Sequence, residues 1–178
     1  VTVEANSSIG NTYDGVEHAA TGLKTSEFTV DGQKYTVEGL NTSDPKAVNA
    51  GEYANTISGT PVVKDANGND VSSQFAVTLV PGKLEIAKRS VTLTSASDSR
   101  VYNGEALTND DVTVGGDGFV AGEGAVYNVT GTITDAGKVA NSFTYERNSN
   151  TNFDNYNISK KEGTLEVTPV ADKVTVTI

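Results

Sequence analysis

Apolar and polar residues alternate along much of the chain. Gln74-Phe75-Ala76-Val77-Thr78-Leu79 and Lys83-Leu84-Glu85-Ile86 place an apolar side chain at every second position. Lys34-Tyr35-Thr36-Val37-Glu38, Tyr127-Asn128-Val129-Thr130 and Ser142-Phe143-Thr144-Tyr145 do the same. A period of two with β-branched and aromatic residues predicts half-buried strands. The runs are punctuated by Asp14-Gly15, Asp31-Gly32, Asn67-Gly68, Asn103-Gly104 and Asp117-Gly118. Such pairs supply the positive φ angles of tight turns. No long stretch carries an apolar stripe at helical spacing, and single helical turns are expected only at 25–28 and 43–47. An apolar sheet face must be covered by a second layer, so the pattern predicts an all-β fold of immunoglobulin-like β-sandwiches. A β-grasp arrangement is the alternative and would require a helix.

The chain repeats itself. Val1-Thr2-Val3, followed by Thr12-Tyr13-Asp14-Gly15, is answered by Val91-Thr92-Leu93, followed by Val101-Tyr102-Asn103-Gly104. Asn49-Ala50-Gly51-Glu52-Tyr53 is answered by Asp135-Ala136-Gly137-Lys138-Val139. Phe75-Ala76-Val77-Thr78 and Gly82-Lys83-Leu84-Glu85-Ile86 are answered by Tyr156-Asn157-Ile158-Ser159 and Gly163-Thr164-Leu165-Glu166-Val167. The landmarks keep their order, with length differences taken up in loops, which predicts tandem modules over 1–88 and 89–169. Residues 170–178 read as a linker and the opening strand of a third copy, Val174-Thr175-Val176-Thr177-Ile178, so the chain reads as a piece of a longer one. Lys88-Arg89 joins the modules with no Gly/Ser-rich linker, which predicts a stiff joint. Strands of about eleven residues span roughly 36 Å, and two modules in line would form a rod of roughly 70 Å.

Composition narrows the picture. The chain has 178 residues, 36 % of them hydrophobic. A module of roughly 85 residues buries only about 60–65 % of its unfolded surface, so each core is expected to be small. Cysteine is absent, which removes disulfides and thiolate chemistry. The net charge of −10 disfavours nucleic acid and anionic membranes. The arginines are Arg89, Arg100 and Arg147, too few for a phosphate-reading surface. No apolar run is long enough for a membrane-spanning helix.

The alternating first strand, the Tyr-Asp-Gly or Tyr-Asn-Gly turn, the mid-module Ala-Gly, the aromatic at Phe75 or Tyr156 and the closing Gly-x-Leu-x-Ile/Val strand form a series. That series resembles the MBG/YDG repeats of bacterial cell-surface proteins and adhesins, over residues 1–169. The first copy departs at Phe75, where the family more often has Asn-Tyr, while the second keeps Asn155-Tyr156-Asn157-Ile158. The resemblance implies a place in a tandem array on a cell surface or cell wall and carries no catalytic residue with it.

Candidate chemistry is sparse. Tyr13 and Tyr102 read as structural, because they recur at one module position. Asp65-Ala66-Asn67-Gly68-Asn69-Asp70 alternates oxygen ligands as a calcium loop does, with Asp65, Asn67, Asn69 and Asp70 as candidate ligands. However, Asp70 stands where that loop has glycine and Ala76 where it has glutamate, so a hairpin turn is the favoured reading. Asn109-Asp110-Asp111 and Asp117 read as solvated loops. His18 is the sole histidine, too little for the usual zinc site, and catalysis through it is not expected. Lys24 and Lys34 are candidates for an intramolecular Lys–Asn isopeptide bond, with ordinary surface lysines as the favoured reading. Phe119 and Phe153, on or beside the loops 115–124 and 146–154, are the candidate ligand-binding residues.

These features predict a spacer of a bacterial cell-surface protein, without catalysis or cofactor. An adhesin module binding glycans or host proteins is the first alternative, and a hydrolase or its accessory domain the second. Expected partners are host glycans or extracellular proteins, engaged through other parts of the parent. Nucleic acid and membrane insertion are not expected, and the chain is expected to be monomeric.

Overall fold

The computed structural model describes residues 1–171 and 176–178. It is almost entirely β, and it divides into two compact units, Val1–Lys88 and Arg89–Ile178. Among the described residues no helix is long and apolar enough to cross a membrane.

Unit 1 contains β1 (Thr2–Glu4), β2 (Ser8–Thr12), β3 (His18–Ala19), β4 (Glu27–Val30), β5 (Gln33–Thr42), β6 (Lys46–Ala47), β7 (Gly51–Asn55), β8 (Ile57–Lys64), β9 (Thr78–Val80) and β10 (Gly82–Ala87). β4, β5 and β8 form an antiparallel sheet. Its first hairpin closes at Asp31-Gly32, where φ is 48° and 78°, the paired left-handed conformation of a two-residue hairpin turn. β1 lies parallel to β9, while β2 lies parallel to β10, whose other edge pairs antiparallel with β7. The first and last runs of the unit therefore travel side by side, and both change sheets, at residues 5–7 and at Pro81.

Unit 2 repeats the plan with β11 (Arg89–Ser95), β12 (Asp98–Val101), β13 (Val112–Gly116), β14 (Ala125–Val129), β15 (Gly137–Ala140), β16 (Phe143–Arg147), β17 (Tyr156–Lys161) and β18 (Thr164–Thr168). β11 pairs in parallel with β17, and β12 with β18. Antiparallel partners are β13 for β11, β15 for β18 and β16 for β14.

The cores follow the alternation. Along β10, Gly82, Leu84 and Ile86 point inward, and along β11 Val91, Leu93 and Ser95 do. In unit 1, Val3 and Leu79 of the β1–β9 pair meet Val37, Val63, Phe28 and Tyr35 of the facing sheet, which makes a two-layer sandwich. Phe28, Tyr35 and Phe75 form an aromatic triad with centroids 4.9 to 5.4 Å apart. In unit 2, Leu107, Leu165 and Val167 form one cluster, with Ile133 and Val139 against it. Leu84, Leu93 and Leu165 are 0 % exposed, and burying such a side chain stabilises by about 1.5–3 kcal/mol.

Three sequence expectations are corrected. Residues 25–28 form no helical turn: the Thr25 hydroxyl accepts the Glu27 N–H at 3.2 Å and launches β4. Residues 43–47 form none either, because Asp44 is left-handed (φ 52°) and Pro45 disfavours helical backbone before it. Single 3₁₀ turns occur instead at Ser72–Gln74 and Phe153–Asn155. The first of these takes the start of the alternating run 74–79, so β9 begins only at Thr78. The expected strand 174–178 lies partly outside the described residues, and 176–178 carry no regular structure.

Candidate functional site

Phe119, on a loop, and Phe153, at the start of the 3₁₀ turn, come together with ring centroids 6.4 Å apart and planes nearly parallel. Both are half-buried. Phe119 also packs edge-on against Tyr156 at 5.1 Å, and Phe153 packs at a tilt against Tyr145 at 5.9 Å. Tyr156 is buried, and its hydroxyl accepts the Val120 N–H at 3.1 Å, which anchors the Phe119 loop to β17. Burial pushes the Tyr156 phenol above its ordinary pKa. The two phenylalanines thus extend an aromatic row from the core, as Phe75 does in unit 1.

The acidic loop folds on itself. Asp65 Oδ1 accepts the N–H groups of Asn67 and Asn69, and Asp65 Oδ2 accepts Asn69 Nδ2. Asp70 Oδ1 accepts both the N–H and the hydroxyl of Ser72. These hydrogen bonds, led by the Asn69 N–H for Asp65 and the Ser72 hydroxyl for Asp70, hold both carboxyls below their ordinary pKa. The hairpin turn at Asn67-Gly68 is therefore built, with both Asp65 oxygens engaged within it and Asp70 Oδ1 engaged by Ser72. In the second cluster, Asn109 Oδ1 accepts the Asp111 N–H at 3.0 Å. Among the described residues no three acidic or imidazole side chains cluster as metal ligands.

His18 Nε2 lies 2.9 Å from Asp14 Oδ1, and the same oxygen accepts the Val16 N–H. The backbone bond first and the imidazole second lower the Asp14 pKa. Lys24 pairs with Glu4 at 2.8 Å and Lys34 with Glu27 at 3.2 Å, all on the surface. Tyr13 and Tyr102 diverge: Tyr13 is 6 % exposed and Tyr102 is 41 % exposed. Both backbones nonetheless make the same bond across the terminal runs, with Tyr13 N–H donating to Ala87 O and Tyr102 N–H to Thr168 O.

Each unit carries a groove with two carboxylates. One of about 640 Å³ has Glu27 and Asp44 in its wall. The other, about 560 Å³, has Asp98 and Glu166. Asp44 accepts the Thr42 hydroxyl and the Gly22 N–H, which lower its pKa. A general acid for sugar cleavage needs the opposite shift.

What the two units share is a clasp where the terminal runs change sheets. A strand that leaves its ladder strands backbone carbonyls, which need donors once buried. In unit 1, Asn55 is 0 % exposed; its Nδ2 donates to Asn6 O at 3.0 Å, and its Oδ1 accepts the Asp44 N–H at 3.1 Å. In unit 2, Asn141 is also 0 % exposed, and its Nδ2 donates to Ala96 O at 2.9 Å and Asn109 O at 2.8 Å. Ser7 Oγ accepts the Lys83 N–H and Ser97 Oγ accepts the Thr164 N–H, each at 3.0 Å, stitching first run to last. Gly82 and Gly163 sit against this crossing, where a Cβ would overlap the Asn6 and Ala96 carbonyl oxygens. The glycine of the repeated Gly-x-Leu motif is thereby explained as a close backbone approach.

Sequence reading missed the asparagines. The signal was present: the mid-module match continues through Ala50-Gly51-Glu52-Tyr53-Ala54-Asn55 and Ala136-Gly137-Lys138-Val139-Ala140-Asn141. Asparagine suggests a surface turn on propensity alone, which hides it as a core residue. Compared with known proteins, the chain matches no family model, no curated protein and no solved structure.

Proposed function

We propose that this chain is a spacer segment of a bacterial cell-surface protein, built of tandem all-β modules like the MBG/YDG repeats it resembles. The observation that carries this reading is the clasp itself. The same buried asparagine, serine stitch and close-packed glycine occur in both units, joining the beginning of each module to its end. Repetition preserves this framework while the loops differ between copies, as a role in holding and presenting other parts of a protein would require. The net charge of −10 keeps neighbouring stalks apart.

The test is to display a fixed binding tip on a bacterium above no copy, one copy or two copies of this chain. Capture of ligand-coated beads by the tip is expected to rise with copy number. Capture indifferent to copy number would defeat the spacer reading. The adhesin reading predicts that the soluble chain alone binds a glycan array, and that Phe119→Ala with Phe153→Ala abolishes the signal. Such binding would replace the spacer with an adhesin.

A further inference from the structure

We infer that the parallel terminal runs of each unit form a force-bearing clamp, stronger in unit 2 than in unit 1. The inference deepens the spacer reading and takes its biological use from it. The geometry is set by the register. In unit 2, Arg89–Thr94 lie beside Tyr156–Lys161, and Asp98–Val101 beside Leu165–Thr168, all parallel. Tension along the chain enters at the beginning of β11 and leaves at the end of β18. In a parallel pair these points lie at opposite ends of the ladder, so the hydrogen bonds between the runs are loaded together, in shear. Were the pair antiparallel, the same tension would open the bonds one at a time.

The sheet change would be the weak point of such a ladder, because pairing lapses there. It is where the clasp sits: Ser97 Oγ holds the Thr164 N–H, and Asn141 Nδ2 holds Ala96 O. Ser95 Oγ adds a bond on each side, donating to Asn141 O at 2.6 Å and accepting the Gly163 N–H at 2.9 Å. Unit 1 is built alike but with shorter pairing. Thr2–Glu4 lie beside Thr78–Val80, and the β2–β10 register is broken between Leu84 and Ile86. Fewer bonds share the load, so unit 1 yields first.

The absence of cysteine makes the test direct, since introduced thiols are unique attachment points. In the full chain, Lys88→Cys with Val170→Cys pulls unit 2 in shear. Glu105→Cys with Val170→Cys pulls the same unit from the matching ends of β12 and β18, so the ladder peels. Val1→Cys with Lys88→Cys, and Glu17→Cys with Lys88→Cys, do the same for unit 1. All these positions are exposed, and an unchanged thermal midpoint establishes that each variant is folded. Forced unfolding reads the barrier along the pulled direction rather than equilibrium stability. The expected result is a several-fold higher unfolding force in shear than in peel for each unit, with the unit 2 shear force above that of unit 1. Equal forces in the two directions would overturn the clamp while leaving the display test of the spacer untouched. A stronger unit 1 would overturn the ranking.

Discussion

At the residue scale, the buried amides matter most. Asn55 and Asn141 satisfy carbonyls that the sheet change leaves without ladder partners, and an unsatisfied buried group costs about 1–3 kcal/mol. Asn55→Ala and Asn141→Ala are each expected to lose about 1–3 kcal/mol in urea unfolding. Replacement by Leu should rescue neither, because volume without a donor leaves the same oxygens unpaired. Gly163→Ala is expected to cost about 1–3 kcal/mol, as overpacking does, because its methyl would displace the Ala96 carbonyl. Phe153→Ala is a separate case: its ring is half-buried against Phe119 and Tyr145, so the chain should lose about 1–3 kcal/mol. A stability unchanged by Phe153→Ala would show that the ring packs on nothing of consequence.

At the element scale, the hairpins are local and the terminal runs are not. β4 and β5 close through Asp31-Gly32, so their pairing follows from adjacent residues. Gly32→Ala should cost roughly 1 kcal/mol, since φ there is 78° and a Cβ disfavours that conformation. The β11–β17 pair instead joins residues far apart in the chain, and ordering the intervening loop must precede its reward. Ser97→Ala removes one stitch between the same terminal runs, at the exposed point where they change sheets. It is expected to cost about 0.5–1.5 kcal/mol and to speed amide exchange at Thr164 before that at Leu93.

At the scale of the whole chain, the two units should respond differently to acid. Asp14, Asp44, Asp65 and Asp70 lie in unit 1 and are held below the ordinary value of 3.8 by backbone and hydroxyl donors. A carboxyl whose folded pKa is depressed binds its proton more readily unfolded. Its contribution is complete above about pH 5 and is lost as the pH falls through 3.8 toward the folded values. Urea unfolding of the full chain, followed by resolved amide NMR signals of each unit, should therefore show unit 1 losing more stability than unit 2 between pH 7 and pH 3. Equal losses would remove the turn carboxylates from the account.

The alternation of side chains, the Asp-Gly and Asn-Gly turns and the internal repeat were enough to determine an all-β chain with half-buried, alternating strands. Those signals act between neighbours, where sterics and period-two exposure are local. Only the tertiary structure decided that the first and last runs pair in parallel, because alternation reads the same in either direction. Folding also decided that two asparagines lie in the core, that Phe119 and Phe153 share one aromatic row, and that Tyr13 is buried where Tyr102 is not. Each depends on partners distant in the chain, and a hydrogen bond to a stranded carbonyl leaves no mark on hydrophobic pattern.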